Sequence, residues 1–199
     1  RHPVNQFITS GHGSGGVLTG GDPDAPGGGA ALPMIDYEQE VPEGLNEAYD
    51  ALSGSFLDRG SATLQAATHQ GRQMFWMQRA KPQRFDAARW YLNVPQYWAW
   101  RLSGVAASEH TIMGAQSHLW NVVERRFAPI VEGQGWERLM APSAPAWQAL
   151  GPIRRSLARH HGIAETLKVH TGVHDSSANF YRYQAAGMTD LTVVSTGTW

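Results

Sequence analysis

The sequence predicts a mixed α/β domain, and three observations support this prediction. Strand-like apolar runs lie near both ends of the chain, the stretch 44–162 has mostly helical spacing, and no internal repeat occurs. Strands near the ends with helices between them are typical of a sheet whose faces are covered by helices. Hydrophobic residues make up 42% of the 199 residues, which is enough for a packed core and disfavours a disordered chain.

The N-terminal residues predict a hairpin, a loop and a short strand. Residues 5–10 and 17–19 are strand-like, and the glycine-rich run 11–16 between them predicts a turn, so we expect a β-hairpin. Residues 20–29 contain five Gly and two Pro and predict an exposed loop. The short apolar run 32–35 predicts a further strand.

The rest of the chain predicts helices and a final strand–turn–helix–strand unit. Apolar spacing predicts helices over 63–77 and 85–102, with Pro95 at the start of a new helix. The remaining expected elements are a helix over 156–161 ended by Gly162, a strand over 168–171, a helix over 176–186 ended by Gly187, and a buried strand over 191–195.

The composition excludes several classes of function. The sequence has 16 Lys and Arg residues and 17 Asp and Glu residues. The resulting net charge of −1 gives no reason to expect nucleic acid or an anionic membrane as a partner. The absence of Cys excludes disulfides and thiolate metal sites. The sequence shows no apolar run of membrane-spanning length and no signal peptide, so we expect a cytoplasmic protein. The spacing of the His residues predicts no structural metal.

Asp175 is the strongest candidate for catalysis. A predicted strand and a glycine turn deliver it to the start of a helix, and open α/β sheets bind ligands at such carboxyl ends of strands. A carboxylate there could accept a proton from a substrate hydroxyl. Judged from this segment alone, an Asp is more often a helix cap, so both interpretations stay open.

Three further segments contain residues suited to binding. His12 lies in the glycine-rich run, where it either contacts a ligand or belongs to a simple turn. Asp36 and Glu38 could bind sugar hydroxyls or act as an acid–base pair, against the alternative of a solvated loop. The run 195–198 could hold phosphate through hydroxyl and backbone N–H groups, against the alternative of an ordinary turn.

These segments, in this order, resemble the FGGY carbohydrate kinases. Gly172-Val-His174-Asp175 is similar to the family's Gly-x-x-Asp segment, which contains the catalytic base. Ser195-Thr-Gly-Thr-Trp199, which starts 20 residues after Asp175, is similar to its phosphate-binding segment. Further segments that resemble the family, over most of the chain, are Gly11-His12-Gly13, Asp36-Tyr37-Glu38, residues 91–104 and residues 117–121.

The resemblance implies an actin-like, ribonuclease-H-like domain with a mixed sheet flanked by helices. It also implies transfer of the ATP γ-phosphoryl group to a ketose or polyol hydroxyl, with Mg²⁺ and with Asp175 as general base. The implied sugar contacts are Gly11, His12, Asp36, Glu38, His174 and Ser176, and the implied phosphate contacts are Thr196, Gly197 and Thr198. The expected partners are a small-molecule sugar and ATP, with a homodimer left open.

Departures from the family pattern limit what we expect of the chain alone. The sequence contains no Asp-x-Gly-Thr hairpin of the kind that begins the family's N-terminal domain. By the resemblance, we expect the family's C-terminal nucleotide-binding domain to lie outside these 199 residues. We therefore expect residues 1–199 to be most of the N-terminal, sugar-binding domain, truncated at both ends, and to bind ATP poorly alone. The base segment has Gly-Val-His-Asp where the family often has Gly-Gly-His-Asp.

Two other functions stay open on the sequence. A glycoside hydrolase would use Asp36 and Glu38 and act without ATP. A non-catalytic carbohydrate-binding protein of the same fold would bind sugar without phosphorylating it. Within the kinase interpretation, Trp199 after Gly-Thr favours rhamnulose or fuculose, although xylulose and ribulose also fit.

Overall fold

The computed structural model describes residues 4–194. In it, two pairs of parallel strands join the N-terminal part of the chain to its C-terminal part. β1 (Gln6–Phe7) runs beside β8 (Lys168–His170), and β2 (Ser10–Gly11) runs beside β9 (Val173–His174). β7 (Ala149–Pro152) adds an antiparallel neighbour to β8, which gives a mixed sheet in the order β1-β8-β7.

Two smaller antiparallel pairs form from the chain between these strands. β3 (Gly16–Thr19) pairs with β4 (Trp90–Asn93), and β5 (Trp120–Asn121) pairs with β6 (Arg126–Phe127). The predicted hairpin is therefore wrong, because its two segments pair with strands far along the chain rather than with each other. β3 is buried along its whole length, whereas a strand of a surface hairpin alternates between buried and exposed residues.

The described helices vary from one turn to three turns in length. Their bounds are α1 (Leu45–Asp50), α2 (Phe56–Arg59), α3 (Gln70–Ala80), α4 (Pro82–Asp86), α5 (Val94–Ser103), α6 (His110–Met113), α7 (Pro129–Gly133), α8 (Arg155–His161) and α9 (Asp175–Ala185).

Several predicted boundaries are confirmed where a proline or glycine marks them. α5 begins beside Pro95, α8 ends at Gly162 with φ 64°, and Gly187 with φ 80° follows the last residues of α9. These two glycines have the left-handed conformation that commonly terminates a helix. The strand expected over 168–171 is also confirmed, as β8.

Two predicted helices are displaced or interrupted. The helix expected over 63–77 begins only at Gln70, because the preceding loop wraps around the Arg72 guanidinium, which donates to the Leu64 carbonyl oxygen at 3.0 Å. The helix expected over 85–102 is interrupted by β4, because the backbone of β4 pairs with β3.

Two predicted strands are wrong. Residues 32–35 and 191–194 form no strand, because neither run joins a ladder among the described residues. Val194 is 76% exposed, so the C-terminal run is not the buried strand that we expected. The loop expected over 20–29 is present and contains a single 3₁₀ turn.

The core has one main cluster and two smaller ones. Large buried side chains of the main cluster include Tyr49, Met74, Phe75, Phe85, Leu119 and Trp136. One smaller cluster joins α5 and α8 to β8 through Ala99, Ile153, Ala158, Leu167 and Val169. The other contains Leu92, Trp100 and Ala141. Each large apolar side chain that becomes fully buried stabilises the fold by about 1.5–3 kcal/mol. Over residues 4–194, no helix combines the length and the apolar character that crossing a membrane requires.

Candidate active site

The carboxyl ends of β2 and β9 lie side by side and form the candidate site. Gly11 is the register partner of His174 in this parallel pair. His12 and Asp175 are the next residues along the two strands, so the ladder places both of them at one edge. Such an edge is where open α/β sheets bind their ligands.

Close backbone packing fixes these strand ends against the start of α5. Gly172 has φ 94°, and a Cβ on it would lie 2.6 Å from Thr9 Oγ1 and 3.0 Å from the Cβ of Pro95, so the position requires glycine. Thr9 Oγ1 donates to the Pro95 carbonyl oxygen at 2.9 Å. The turn that precedes Asp175 therefore has little space in which to move.

Asp175 is the first residue of α9, and its side chain is 51% exposed. Its Oδ1 accepts from the Ser176 amide at 2.6 Å and from Ser176 Oγ at 3.3 Å, and it lies 3.4 Å from His174 Nε2. An N-cap aspartate instead accepts from an amide two or three residues further along. The helix-cap interpretation therefore does not describe Asp175, whose Oδ2 accepts no hydrogen bond from residues 4–194.

The His174 ring lies beside Asp175 in a partly buried position. Burial lowers the pKa of His174, the carboxylates of Asp175 and Glu109 oppose this shift, and the His12 ring adds to it. Glu109 and His12 are therefore both close enough to act on the ring. The net effect favours a neutral imidazole, which can both donate and accept a hydrogen bond.

His12 connects the acidic segment to this edge. Its Nδ1 accepts from the Ser14 amide at 3.1 Å, and its ring centroid lies 5.2 Å from that of Tyr37. The pKa of the Tyr37 phenol is raised, mainly by the charge of Glu38 and less by burial and by Asp36. Asp36 Oδ1 accepts from the Glu38 amide at 3.0 Å, so these exposed residues form a tight turn next to His12.

The structure thus gathers most, but not all, of the residues expected from the sequence. Adjacent strand ends bring together Gly11, His12, His174, Asp175 and Ser176. Among the described residues, no hydrogen bond joins Asp36 or Glu38 to Asp175, and their turn approaches the site through the contact of Tyr37 with His12. The remaining candidates, Thr196, Gly197 and Thr198, lie outside the described residues.

Buried and partly buried amide side chains hold the loop that contains His12, and the sequence analysis missed all of them. The carbonyl oxygen of Gly13 accepts from Gln70 at 2.7 Å, and that of Ser14 accepts from Gln73 at 2.8 Å. Two further amides complete the network. Asn93 donates to Gln70 Oε1 at 2.6 Å, and Gln116 donates to Ser14 Oγ at 2.7 Å. The spacing of Gln70 and Gln73, three residues apart and so on one face of a helix, was the available signal.

The same loop packs closely against the segment that follows α6. A Cβ on Gly13 would lie 2.5 Å from the carbonyl oxygen of Ala115 and 2.8 Å from its Cβ. Any side chain at position 13 would therefore push the two segments apart and shift the neighbouring His12.

A buried acid caps α6 next to His174. Glu109 is 2% exposed, and its carboxylate accepts from the Thr111 amide at 2.9 Å, from Thr111 Oγ1 at 2.5 Å and from the Ile112 amide at 3.2 Å. Thr111 Oγ1 accepts in turn from the His174 amide at 3.1 Å. The sequence analysis missed Glu109 and Thr111, because a contact over 63 positions leaves no local pattern.

Two buried histidines stack beside Gln116. The rings of His69 and His118 are 3.5 Å apart and nearly parallel, at 14°. His69 Nδ1 donates to the Gln116 carbonyl oxygen at 2.7 Å and Nε2 accepts from the Leu64 amide at 2.7 Å, which matches a neutral ring. Burial lowers the pKa of His69 to about 4, and burial with the neighbouring ring lowers that of His118 as well.

A cleft of about 410 Å³ adjoins α6. Its lining residues are His110, Thr111, Trp120, Val122 and Arg125. The His110 ring stacks on Trp120, with their centroids 4.0 Å apart. Because Thr111 also contacts His174, this cleft lies next to the segment that contains Asp175.

Metal-ligating side chains are dispersed over the described part of the chain. Within residues 4–194, no three His, Cys, Asp or Glu side chains are grouped so that they could hold a metal ion. Protein-bound Mg²⁺ typically has one or two carboxylate ligands, with substrate phosphates and waters as the others. A Mg²⁺ ion held by one or two of these carboxylates would need substrate phosphates and waters as its other ligands.

Residues 43–180 match a known family, the FGGY family of carbohydrate kinases, N-terminal domain. The chain belongs to this family. The matched stretch includes Glu109, Thr111, His174 and Asp175 and ends before Thr196. The predicted actin-like α/β fold of an FGGY N-terminal domain is confirmed by this match and by the solved structures that share the fold.

Solved structures of sugar kinases resemble this FGGY chain. A carbohydrate kinase from Novosphingobium aromaticivorans is 33% identical, with a TM-score of 0.82 over 90% of this chain and 38% of its own. A xylulose kinase from Rhodospirillum rubrum (15% identical, TM-score 0.67) is matched over 88% of this chain and 36% of its own.

A gluconate kinase from Lactobacillus acidophilus (12% identical, TM-score 0.67) is matched over 89% of this chain and 35% of its own. At such low identity the last two structures show the fold alone. The FGGY chain spans 38%, 36% and 35% of these three proteins. No curated protein matches it.

Proposed function

We propose that the full-length protein transfers the γ-phosphoryl group of ATP to a hydroxyl of a ketose or polyol, and that this chain supplies the sugar site and the general base. The observation that supports it best is the parallel pairing of Gly11 with His174, which puts His12 and Asp175 at one strand edge. Membership of the FGGY family is consistent with this proposal.

Asp175 is proposed to accept the proton of the attacking sugar hydroxyl. Its Oδ1 is engaged by Ser176, whereas Oδ2 accepts no hydrogen bond from the described residues and the side chain is half exposed. As the O–H bond breaks and the proton moves to Oδ2, the sugar oxygen forms a bond to the γ-phosphorus, and the bond to the ADP oxygen breaks with its electron pair. ATP supplies the transferred group and the leaving group.

The sugar is proposed to bind between the two strand ends. Because His12 Nδ1 accepts from the Ser14 amide, the proton of a neutral His12 ring is on Nε2, which can donate to a sugar oxygen. His174 and the hydroxyl of Ser176 lie on the other strand end. The exposed carboxylates of Asp36 and Glu38 can accept hydrogen bonds from sugar hydroxyls beside His12.

In this proposal, most groups that bind the ATP phosphates and Mg²⁺ lie outside the described residues. We assign ATP phosphate contacts to Thr196, Gly197 and Thr198 on the sequence resemblance, and we assign Mg²⁺ to none of the described residues. Residues 1–199 are then most of a sugar-binding domain, in a cytoplasmic kinase whose nucleotide-binding domain this chain does not include. The share of each solved kinase that the chain spans supports this division.

The proposal is tested by an ATP-consumption screen of the full-length protein against ketoses and polyols, including rhamnulose, fuculose, xylulose and ribulose. We expect sugar-dependent release of ADP with at least one of them. A glycoside hydrolase would instead release sugar from a glycoside without ATP, and that result would overturn the proposal.

A further inference from the structure

We propose that Thr111 is a positioning residue for Asp175, through a hydrogen-bond relay that runs from Glu109 through Thr111 to the His174 amide. The inference rests on the proposed function, in which Asp175 is the base. It assigns a catalytic consequence to two side chains at the start of a different element, α6 and its cap residue, that make no hydrogen bond to the Asp175 carboxylate.

The direction of each hydrogen bond in the relay follows from the donors available. A carboxylate only accepts, so the single hydroxyl proton of Thr111 is donated to Glu109 Oε2, at 2.5 Å. The lone pairs of Thr111 Oγ1 are then left to accept the His174 N–H, at 3.1 Å. Glu109 is 2% exposed, so water competes little for its carboxylate, and this carboxylate orients the hydroxyl of the more exposed Thr111.

The position of β9 leaves the His174 amide available for a partner outside the sheet. β9 has β2 on one side, and the Val173 amide donates to the Thr9 carbonyl oxygen at 3.0 Å. Successive amides of a strand point in opposite directions, so the His174 amide points away from β2. Among the described residues β9 has no second neighbouring strand, and Thr111 takes the place of one.

The direction of the Asp175 side chain depends on this amide. The Asp175 carboxylate bonds only to residues adjacent in sequence, Ser176 and His174, so nothing described on another element orients it. Gly172 on one side of the turn is fixed by Thr9 and Pro95. The Thr111 contact fixes the other side, at the residue immediately before the base, and so sets where the carboxylate points.

The substitution Thr111→Val tests the relay in the full-length protein. Valine keeps the shape of threonine and removes the hydroxyl, while the Thr111 and Ile112 amides still cap α6 on Glu109. We expect kcat to fall by about tenfold to a hundredfold, because a misplaced base loses reactivity steeply with distance, and we expect the sugar KM to change little. Thr111→Ser keeps the hydroxyl and should restore kcat, and Thr63→Val, on an exposed loop, is the matched control.

A second measurement follows the amide itself and needs no activity. Exchange of the His174 amide hydrogen with solvent should be faster in Thr111→Val than in the parent and in Thr111→Ser. Unchanged exchange, or an unchanged kcat in an active enzyme, overturns the relay and leaves the proposed function standing. A parent that phosphorylates no sugar overturns the proposed function, and the catalytic role of Thr111 with it.

Discussion

The amide network under the His12 loop makes a quantitative prediction for Gln70→Met. Gln70 Nε2 donates to the Gly13 carbonyl oxygen and Oε1 accepts from Asn93, and all of these groups are buried. Methionine has a similar length but forms neither bond. It leaves one buried acceptor and one buried donor without a partner, at about 1–3 kcal/mol each. Because the methionine side chain gains some apolar burial, we expect a net loss of about 2–4 kcal/mol in the free energy of unfolding.

Urea unfolding of the chain, followed by tryptophan fluorescence, measures this loss. A decrease of this size should lower the urea midpoint by about 1 M or more, at slopes of about 1–3 kcal/mol/M. The matched control is Gln83→Met, on an exposed position of α4, which should leave the midpoint nearly unchanged. Equal midpoints for the two variants would refute the proposed role of the Gln70 amide in holding the loop.

Two other predictions follow from the same region. The free energy of unfolding should fall by about 3 kcal/mol for His69 alone as the pH drops from 6.5 toward 4, because the unfolded chain takes up a proton that the buried ring does not. Urea unfolding at several pH values measures this fall. An equally steep fall in the variant His69→Gln would contradict the prediction. Gly13→Ala should lower kcat/KM of the full-length protein by about tenfold or more, since its Cβ would lie 2.5 Å from the Ala115 carbonyl oxygen and displace His12. Gly21→Ala, where a Cβ meets nothing within 4 Å, is its control in steady-state kinetics, and equal values for the two variants would contradict the steric argument.

Residues that directly follow a strand could be predicted from the sequence. His12 and Asp175 each stand next to a glycine turn, and a local pattern of that kind fixes where a side chain emerges from a sheet. The same is true of the helix ends at Gly162 and Gly187, where glycine adopts a left-handed conformation.

Residues that act through distant contacts could not be predicted in this way. Gln70 reaches Gly13 over 57 positions and Thr111 reaches His174 over 63. Apart from the three-residue spacing of Gln70 and Gln73, neither contact leaves a periodic or local pattern, because tertiary packing brings the groups together. Gln and Thr are also common in positions without a function, so their presence alone indicates little.

Strand pairing was the other limit of the sequence analysis. A hairpin between 5–10 and 17–19 was the expected pairing because the two runs are neighbours in sequence, yet their partners are the strands at 168–174 and 90–93. β4 was missed because short apolar runs are compatible with both helix and strand periodicity. The run 191–194 has strand-forming residues but no described strand beside it, and pairing is what makes a strand.

The central claim is that Asp175 is the base of a sugar kinase, and the turnover of Asp175→Asn in the full-length protein tests it most directly. Asparagine keeps the size of the side chain and cannot accept the hydroxyl proton. With a sugar that the parent phosphorylates, we expect kcat to fall by about 10²–10⁴-fold while the sugar still binds, and Asp190→Asn, at an exposed position, to retain full activity. A kcat for Asp175→Asn within a few-fold of the parent value would contradict the account.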